Sequence, residues 1–159
     1  MGKHDNKALP AQVLKKFRII YGSVRQHFRE IEQICGVSGS QLWAMKEIAL
    51  TPGIGISELS ARLSIHQSTC SQLVEKLAGR NLITKERSKE DQRRVGLRPT
   101  AKAIKLIALA PGPAEGILPE ALNALPADIV QTLDTALDHV LKQLQIKDNK
   151  LGQQPLSEL

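Results

Sequence analysis

ISELSARLSIHQSTCSQLVEKLAGRNLITKERSKEDQRRVGLRPTAKA, residues Ile56 to Ala103 of the 159-residue chain, is the stretch on which the fold turns. Its first half holds two short helical patterns separated by a tight turn. Ser57 and Glu58 open the first, Leu59 and Leu63 face inward, and Ser64 to His66 reverse the chain, with His66 placed to cap the second helix. That helix is expected from Gln67 to about Arg80 and buries Cys70, Leu73, Val74 and Leu77 at helical spacing. Its other face carries Ser68, Thr69, Ser71, Gln72 and Lys76. Small hydroxyls and an amide ahead of a base suit a helix that enters the DNA major groove, where polar groups meet base edges and cations meet phosphates.

After this helix, LITKER and RVGLR have strand-like composition and flank the connector SKEDQR, which predicts a two-stranded hairpin. Ser88 to Arg98 carry six charged side chains in eleven residues. A hairpin tip can lie against the minor groove, whose narrow negative cleft attracts a guanidinium, and Arg93 and Arg94 are the candidates. Asp91 is read as orienting, since a carboxylate two residues away can accept hydrogen bonds from an arginine and hold the loop in shape. Ser88 to Glu90 are read only as keeping the tip in water. Gly96 is expected to weaken the second strand and end it early. Pro99 and Thr100 then start another helix, AKAIKLIALA.

The charge distribution points to the same region. Net charge is +4 for residues 1–66, +6 for 67–105 and −4 for 106–159. An acidic partner should therefore meet the middle of the chain. Lys76, Arg80, Lys85, Arg87 and Arg98 would supply salt-dependent attraction to phosphates. Aromatic residues are only 3% of the chain, too few for a surface that stacks unpaired bases, so single-stranded nucleic acid is disfavoured.

Outward from this region the chain is helical. VLKKFRIIYGSVRQHFREIEQI places apolar residues at three- and four-residue intervals from Val13 to Ile34, the mark of one long amphipathic helix. CGVSG breaks it. Ser38 or Ser40 caps a second helix, SQLWAMKEIAL, with Leu42, Met45, Ile48 and Ala49 as its apolar stripe and TPG closing it at residues 51–53. On the other side, APGP at 110–113 interrupts the pattern, because proline cannot continue the hydrogen-bond ladder. A last helix is expected from Pro126 to about Ile146, with Ile129, Leu133, Leu137, Val140 and Leu144 on one side. KDNKLGQQPLSEL reads as a frayed tail. The two terminal helices flank a middle domain too small to cover both apolar stripes, so a two-fold homodimer is expected. It would set two recognition helices roughly 34 Å apart on a palindromic site.

Several classes are set aside. No run of eighteen apolar residues exists and the N-terminus is polar, so neither a membrane span nor a secretory signal is expected, and the location is read as cytoplasmic. Cys35 and Cys70 suggest neither a disulfide framework nor a zinc site. Cys70 is read as a core thiol, Cys35 as a partly exposed residue at a helix end. His4, His27, His66 and His139 lack metal-ligand spacing and are read as surface or capping residues. A nucleophile-base arrangement, a Gly-rich phosphate loop and paired carboxylates are all missing from the sequence, so neither an enzyme nor a cofactor is expected.

Helix, turn, helix and charged hairpin, in this order, resemble the multiple-antibiotic-resistance regulator (MarR) family of bacterial transcription factors. Ile56 to Ala103 carry the resemblance, above all the Asp-x-Arg of Asp91 and Arg93 between a leucine-rich recognition helix and Thr100. Trp43 on the second helix and the two terminal helices match in kind, so the likeness covers about residues 11–146. Pro99 departs from it, standing where the family usually has an apolar residue. The resemblance implies a mainly α fold with a small β-hairpin wing: a winged helix-turn-helix over 38–105 that binds double-stranded DNA, and a helical dimerisation region over 1–37 and 106–159. The proposed DNA-binding set is Gln67, Ser68, Thr69, Ser71, Gln72, Lys76, Arg87, Arg93 and Arg94. In the family the arginine of Asp-x-Arg reaches the minor groove, which favours Arg93 over Arg94. The family also implies a small aromatic or phenolic effector, bound around the first two helices and the start of the fifth, that changes the spacing of the lobes and weakens DNA affinity. The alternative is a winged-helix protein-interaction module without sequence-specific DNA binding.

Overall fold

The computed structural model describes residues 5–146 and 149–159. In chain order the elements are α1 (Asp5–Cys35), α2 (Gly39–Leu50), α3 (Ile56–Leu63), α4 (Gln67–Gly79), β1 (Ile83–Arg87), β2 (Val95–Pro99), α5 (Ala101–Leu109), α6 (Ile117–Asn123) and α7 (Ala127–Gln143). Two 3₁₀ turns come after them, at Asn149–Gln153 and Leu156–Glu158. The architecture is mainly helical with one antiparallel hairpin, as the sequence predicts.

Local chemistry explains most boundaries. Gly36, at φ +67°, ends α1 in a conformation that a side chain would strain. Ser38, not Ser40, caps α2 through a reciprocal box: its Oγ accepts from the Gln41 N–H at 3.2 Å, and Gln41 Oε1 accepts from the Ser38 N–H at 3.1 Å. The first helix of the helix-turn-helix starts at Ile56 behind Gly55, one residue before the expected Ser57, and has no side-chain cap. Ser64 takes the left-handed conformation that ends it, and His66 caps α4 by accepting the Ser68 N–H on Nδ1 at 3.2 Å. Thr100 caps α5 in the same way, accepting from Ala103.

One core gathers these elements. Ile31 of α1, Leu42, Met45 and Ile48 of α2, Leu59 of α3, Leu77 of α4 and Leu97 of β2 are fully buried. Each such side chain contributes roughly 1.5–3 kcal/mol relative to exposure. Ala44 rather than Ala49 completes the buried side of α2. Cys35 is buried, against the expectation of partial exposure, and His27 is buried rather than at the surface.

The wing is closed by more than its two strands. β1 and β2 pair from Ile83–Pro99 to Arg87–Val95. Gly53 donates to the Leu97 carbonyl at 2.8 Å and Leu97 donates to the Ile54 carbonyl at 2.9 Å, so the turn after α2 pairs with the other edge of β2. Gly96 does not end β2 early. A Cβ there would stand 3.0 Å from the Gly53 carbonyl oxygen and 3.1 Å from its Cα, so the glycine is what lets the two backbones approach.

The terminal regions differ from the sequence reading in two ways. The APGP break is succeeded by a short helix, α6, which the sequence did not mark, and α7 ends at Gln143 rather than near Ile146. The apolar stripes of α1 and α7 lie on the surface: Phe17 is 42% exposed, Ile20 44%, Ile129 48% and Val140 40%. The segment after α7 is not frayed from Asn149 onward. It folds back on the winged lobe, with Ser157 and Glu158 bonded to Ser40; Lys147 and Asp148 lie outside the described residues.

Candidate nucleic-acid interface

The turn Ser64–His66 sets α3 and α4 against each other. Leu59 and Leu63 on one side, and Cys70, Leu73, Val74 and Leu77 on the other, fill the contact. This burial fixes which side of α4 is left over. Gln67, Ser68, Gln72 and Lys76 are exposed, while Thr69 and Ser71 are half-buried. Ser68 also bonds back to the His66 ring at 2.7 Å, so its hydroxyl is partly engaged in the cap.

The wing tip is a compact turn. Ser88 donates its N–H to the Arg94 carbonyl at 2.9 Å, and Arg94 donates its N–H to the Asp91 carbonyl at 2.9 Å. Asp91 Oδ1 accepts the backbone N–H of Arg93 at 3.0 Å, and its Oδ2 lies 3.8 Å from Arg94 Nε. The carboxylate thus grips the loop through a backbone amide and leaves the Arg93 guanidinium unengaged. Ser88, read from sequence as merely solvating, has a structural part: its Oγ accepts from the N–H groups of Glu90 and Asp91 at 3.3 and 3.4 Å. Such side-chain to backbone bonds are the means by which Ser and Asp shape turns.

The basic residues separate into two groups. Arg80 donates to the Gly36 carbonyl at 2.9 Å and to Gln41 at 3.3 Å, tying the end of α4 to the α1–α2 turn. Lys85 is paired with Glu75, and Arg98 with Glu86 at 2.6 Å. Charge alone assigns these three to phosphates, and in the structure each has a partner within the lobe. Lys76, Arg87 and Arg93 have no side-chain hydrogen-bond or ion-pair partner among the described residues and project from α4 and the hairpin. No such pairing can be read from a charge count, because Lys85 meets Glu75 only once β1 packs beside α4, and Arg98 meets Glu86 only once the strands are in register.

A second feature lies beside the lobe. A cleft of about 730 Å³ opens between α1, α2, α3, α6 and the C-terminal turns, with Phe28, Trp43 and Leu122 among its apolar lining and Lys46, Arg62 and Glu115 among its charged lining. Arg62 donates to Glu58 at 2.6 Å and to Glu47 at 3.3 Å, and the Glu58 bond foremost raises its already high pKa. No α5 residue lines this cleft, in contrast to the position expected from sequence. Both cysteines are free and buried. Burial raises the Cys35 thiol and lifts Cys70 to about 11, and each Sγ lies near a backbone carbonyl. Among the described residues no cluster of His, Cys, Asp and Glu could hold a metal, and no helix is long and apolar enough to cross a membrane.

A two-helix reader, an exposed polar face and a hairpin with a projecting arginine define a winged helix-turn-helix. Residues 28–94 match the model of the MarR family. The fold agrees with several solved structures. BldR, a transcriptional regulator from Sulfolobus solfataricus, is 23% identical over 90% of this chain and 99% of its own, with a TM-score of 0.54. FabT from Streptococcus pneumoniae, solved in complex with DNA, is 17% identical over 85% and 96%, also at 0.54. MepR from S. aureus, again solved with DNA, is 20% identical over 80% and 93%, at 0.54. No curated protein matches the sequence.

Proposed function

We propose that the chain is a dimeric transcriptional regulator that binds palindromic double-stranded DNA. The single observation that carries this reading is the exposed row Gln67, Ser68, Gln72 and Lys76 on a helix whose opposite side is locked into the core, beside a wing whose tip holds Arg93 without a side-chain partner among the described residues. The helix would enter the major groove, with Gln72 and the hydroxyls of Ser68, Thr69 and Ser71 against base edges. Lys76 and Arg87 would meet phosphates, and Arg93, with Arg94 beside it, the minor groove. Asp91 would orient the tip through the Arg93 amide. The match of residues 28–94 to the MarR family model supports this over an enzymatic reading.

The dimer rests on the uncovered apolar stripes of α1 and α7. Phe17, Ile20, Ile129 and Val140 belong to long helices, and a patch of this kind is ordinarily an interface. Residues 1–37 and the helices after 105 would form the dimerisation region, and residues 38–105 the reading lobe. The cleft beside Trp43 and Phe28 would admit a small aromatic effector, with Arg62 or Lys46 facing an acidic or phenolic oxygen. Binding there would weaken DNA affinity only if the effector prefers the released spacing of the two lobes.

Footprinting across the DNA upstream of the chain's own coding region tests the reading. A protected site with two inverted halves about one helical turn apart is the expected result. Absence of any protected site at low salt would leave the winged helix as a protein-interaction module.

A further inference from the structure

The segment from Asn149 to Leu159 sits where the recognition helix would meet DNA. The Gln153 carbonyl accepts the backbone N–H of His66, the residue that caps α4, at 3.1 Å. Ser157 Oγ accepts the backbone N–H of Ser40 at 3.0 Å, and Ser40 Oγ donates to the Glu158 carboxylate at 3.0 Å. These partners are 117 and 118 residues apart in sequence, so the seat is chosen by complementary groups rather than by chain continuity. Between the anchors, Gln154, Pro155 and Glu158 form one wall of a cavity of about 260 Å³; Thr69, Gln72 and Lys76 of α4 are on the other.

We infer that Asn149–Leu159 is an intramolecular competitor for the DNA-binding face. The inference rests on the DNA-binding reading and concerns its regulation. A duplex engaging Thr69, Gln72 and Lys76 would have to occupy the volume that Gln154, Pro155 and Glu158 fill. The groups the tail satisfies are also those a phosphate would use: a backbone N–H in the first turn of α2 and a serine hydroxyl. Glu158 offers them a carboxylate in its place. The docking is shallow, since Leu151 and Leu156 remain 55% and 46% exposed, so the seated and displaced states can exchange. If the seated state holds about nine-tenths of the population, displacing it tightens DNA binding about tenfold.

Two full-length variants test this with labelled upstream duplex at fixed salt. Ser157→Ala/Glu158→Gln loosens the tail's grip on Ser40, by removing the Ser157 acceptor and the charge of Glu158, and should bind about tenfold tighter than the unaltered chain. Ser40→Cys/Ser157→Cys should form an intramolecular disulfide on oxidation, lose at least tenfold in affinity, and regain it with dithiothreitol; Cys35 and Cys70 are buried and do not compete. The inference is overturned by an affinity of S157A/E158Q equal to or weaker than the unaltered chain, by equal binding of the oxidised and reduced forms, or by failure of the disulfide to form. Binding by the unaltered chain with no response to the tail sinks this inference alone. Absence of binding by every form, the reduced and S157A/E158Q proteins included, sinks the DNA-binding reading with it.

Discussion

The Asp91 carboxylate accepts the backbone N–H of Arg93 at 3.0 Å, so the acidic residue of the wing acts on the main chain that carries the arginine and not on its guanidinium. An acid placed among cations need not cancel them. It can fix where one of them points while leaving that cation free for a polyanion.

This geometry separates two substitutions. Asp91→Asn keeps an oxygen that can accept the Arg93 amide and should retain DNA affinity within about twofold. Asp91→Ala loses the acceptor and should weaken binding about three- to tenfold, the equivalent of roughly 1 kcal/mol for one hydrogen bond. Anisotropy at one salt concentration measures both. Tighter binding by the alanine variant would show that Asp91 acts on DNA mainly by charge repulsion.

Arg93→Ala should weaken binding to upstream DNA about tenfold and lower the slope of log affinity against log salt by about one contact, or ~0.9. The melting temperature should hold, because the side chain has no partner among the described residues. A lowered melting temperature with unchanged affinity would make Arg93 a structural residue.

Gly96→Ala should destabilise the lobe by roughly 1–3 kcal/mol, the usual cost of forcing an extra methyl group into a close contact. The added carbon would meet the Gly53 backbone at 3.0 to 3.3 Å. Urea unfolding reads the change. An unaltered midpoint would mean that the turn at Gly53 yields without cost.

Cys70 has a folded-state pKa of about 11 against an ordinary thiol value of 9.0, because burial penalises the thiolate. A thiol raised in this way contributes stability in full below the ordinary value. That contribution is lost as pH rises from about 9 to about 11, where the unfolded chain releases a proton that the folded chain keeps. At pH 8 both cysteines should resist Ellman's reagent until the protein is unfolded in urea. Rapid reaction of a native thiol would contradict the burial of Cys35 and Cys70.

Much of this fold was legible from residue spacing. Cys70, Leu73, Val74 and Leu77 recur at helical intervals, His66 and Thr100 stand where caps are needed, and each does what its local chemistry predicts. What stayed hidden depends on contacts distant in sequence. Gly96 reads as a strand weakener until Gly53 is seen beside it. Lys85 and Arg98 read as free cations until the packing of β1 beside α4 brings Glu75 to the first and strand register brings Glu86 to the second. The tail reads as frayed because Leu151, Pro155 and Leu156 have no period, and its partners at Ser40 and His66 lie far upstream.

Two chains are expected to read one duplex through α4 and the wing. Titration of the chain into a fluorescent upstream duplex, well above the dissociation constant and with a scrambled duplex as control, tests this most directly. Saturation is expected at two chains per duplex, with affinity for the scrambled DNA at least about a hundredfold weaker. Saturation at one chain per duplex would contradict the dimer, and equal affinity for both duplexes would contradict sequence-specific reading.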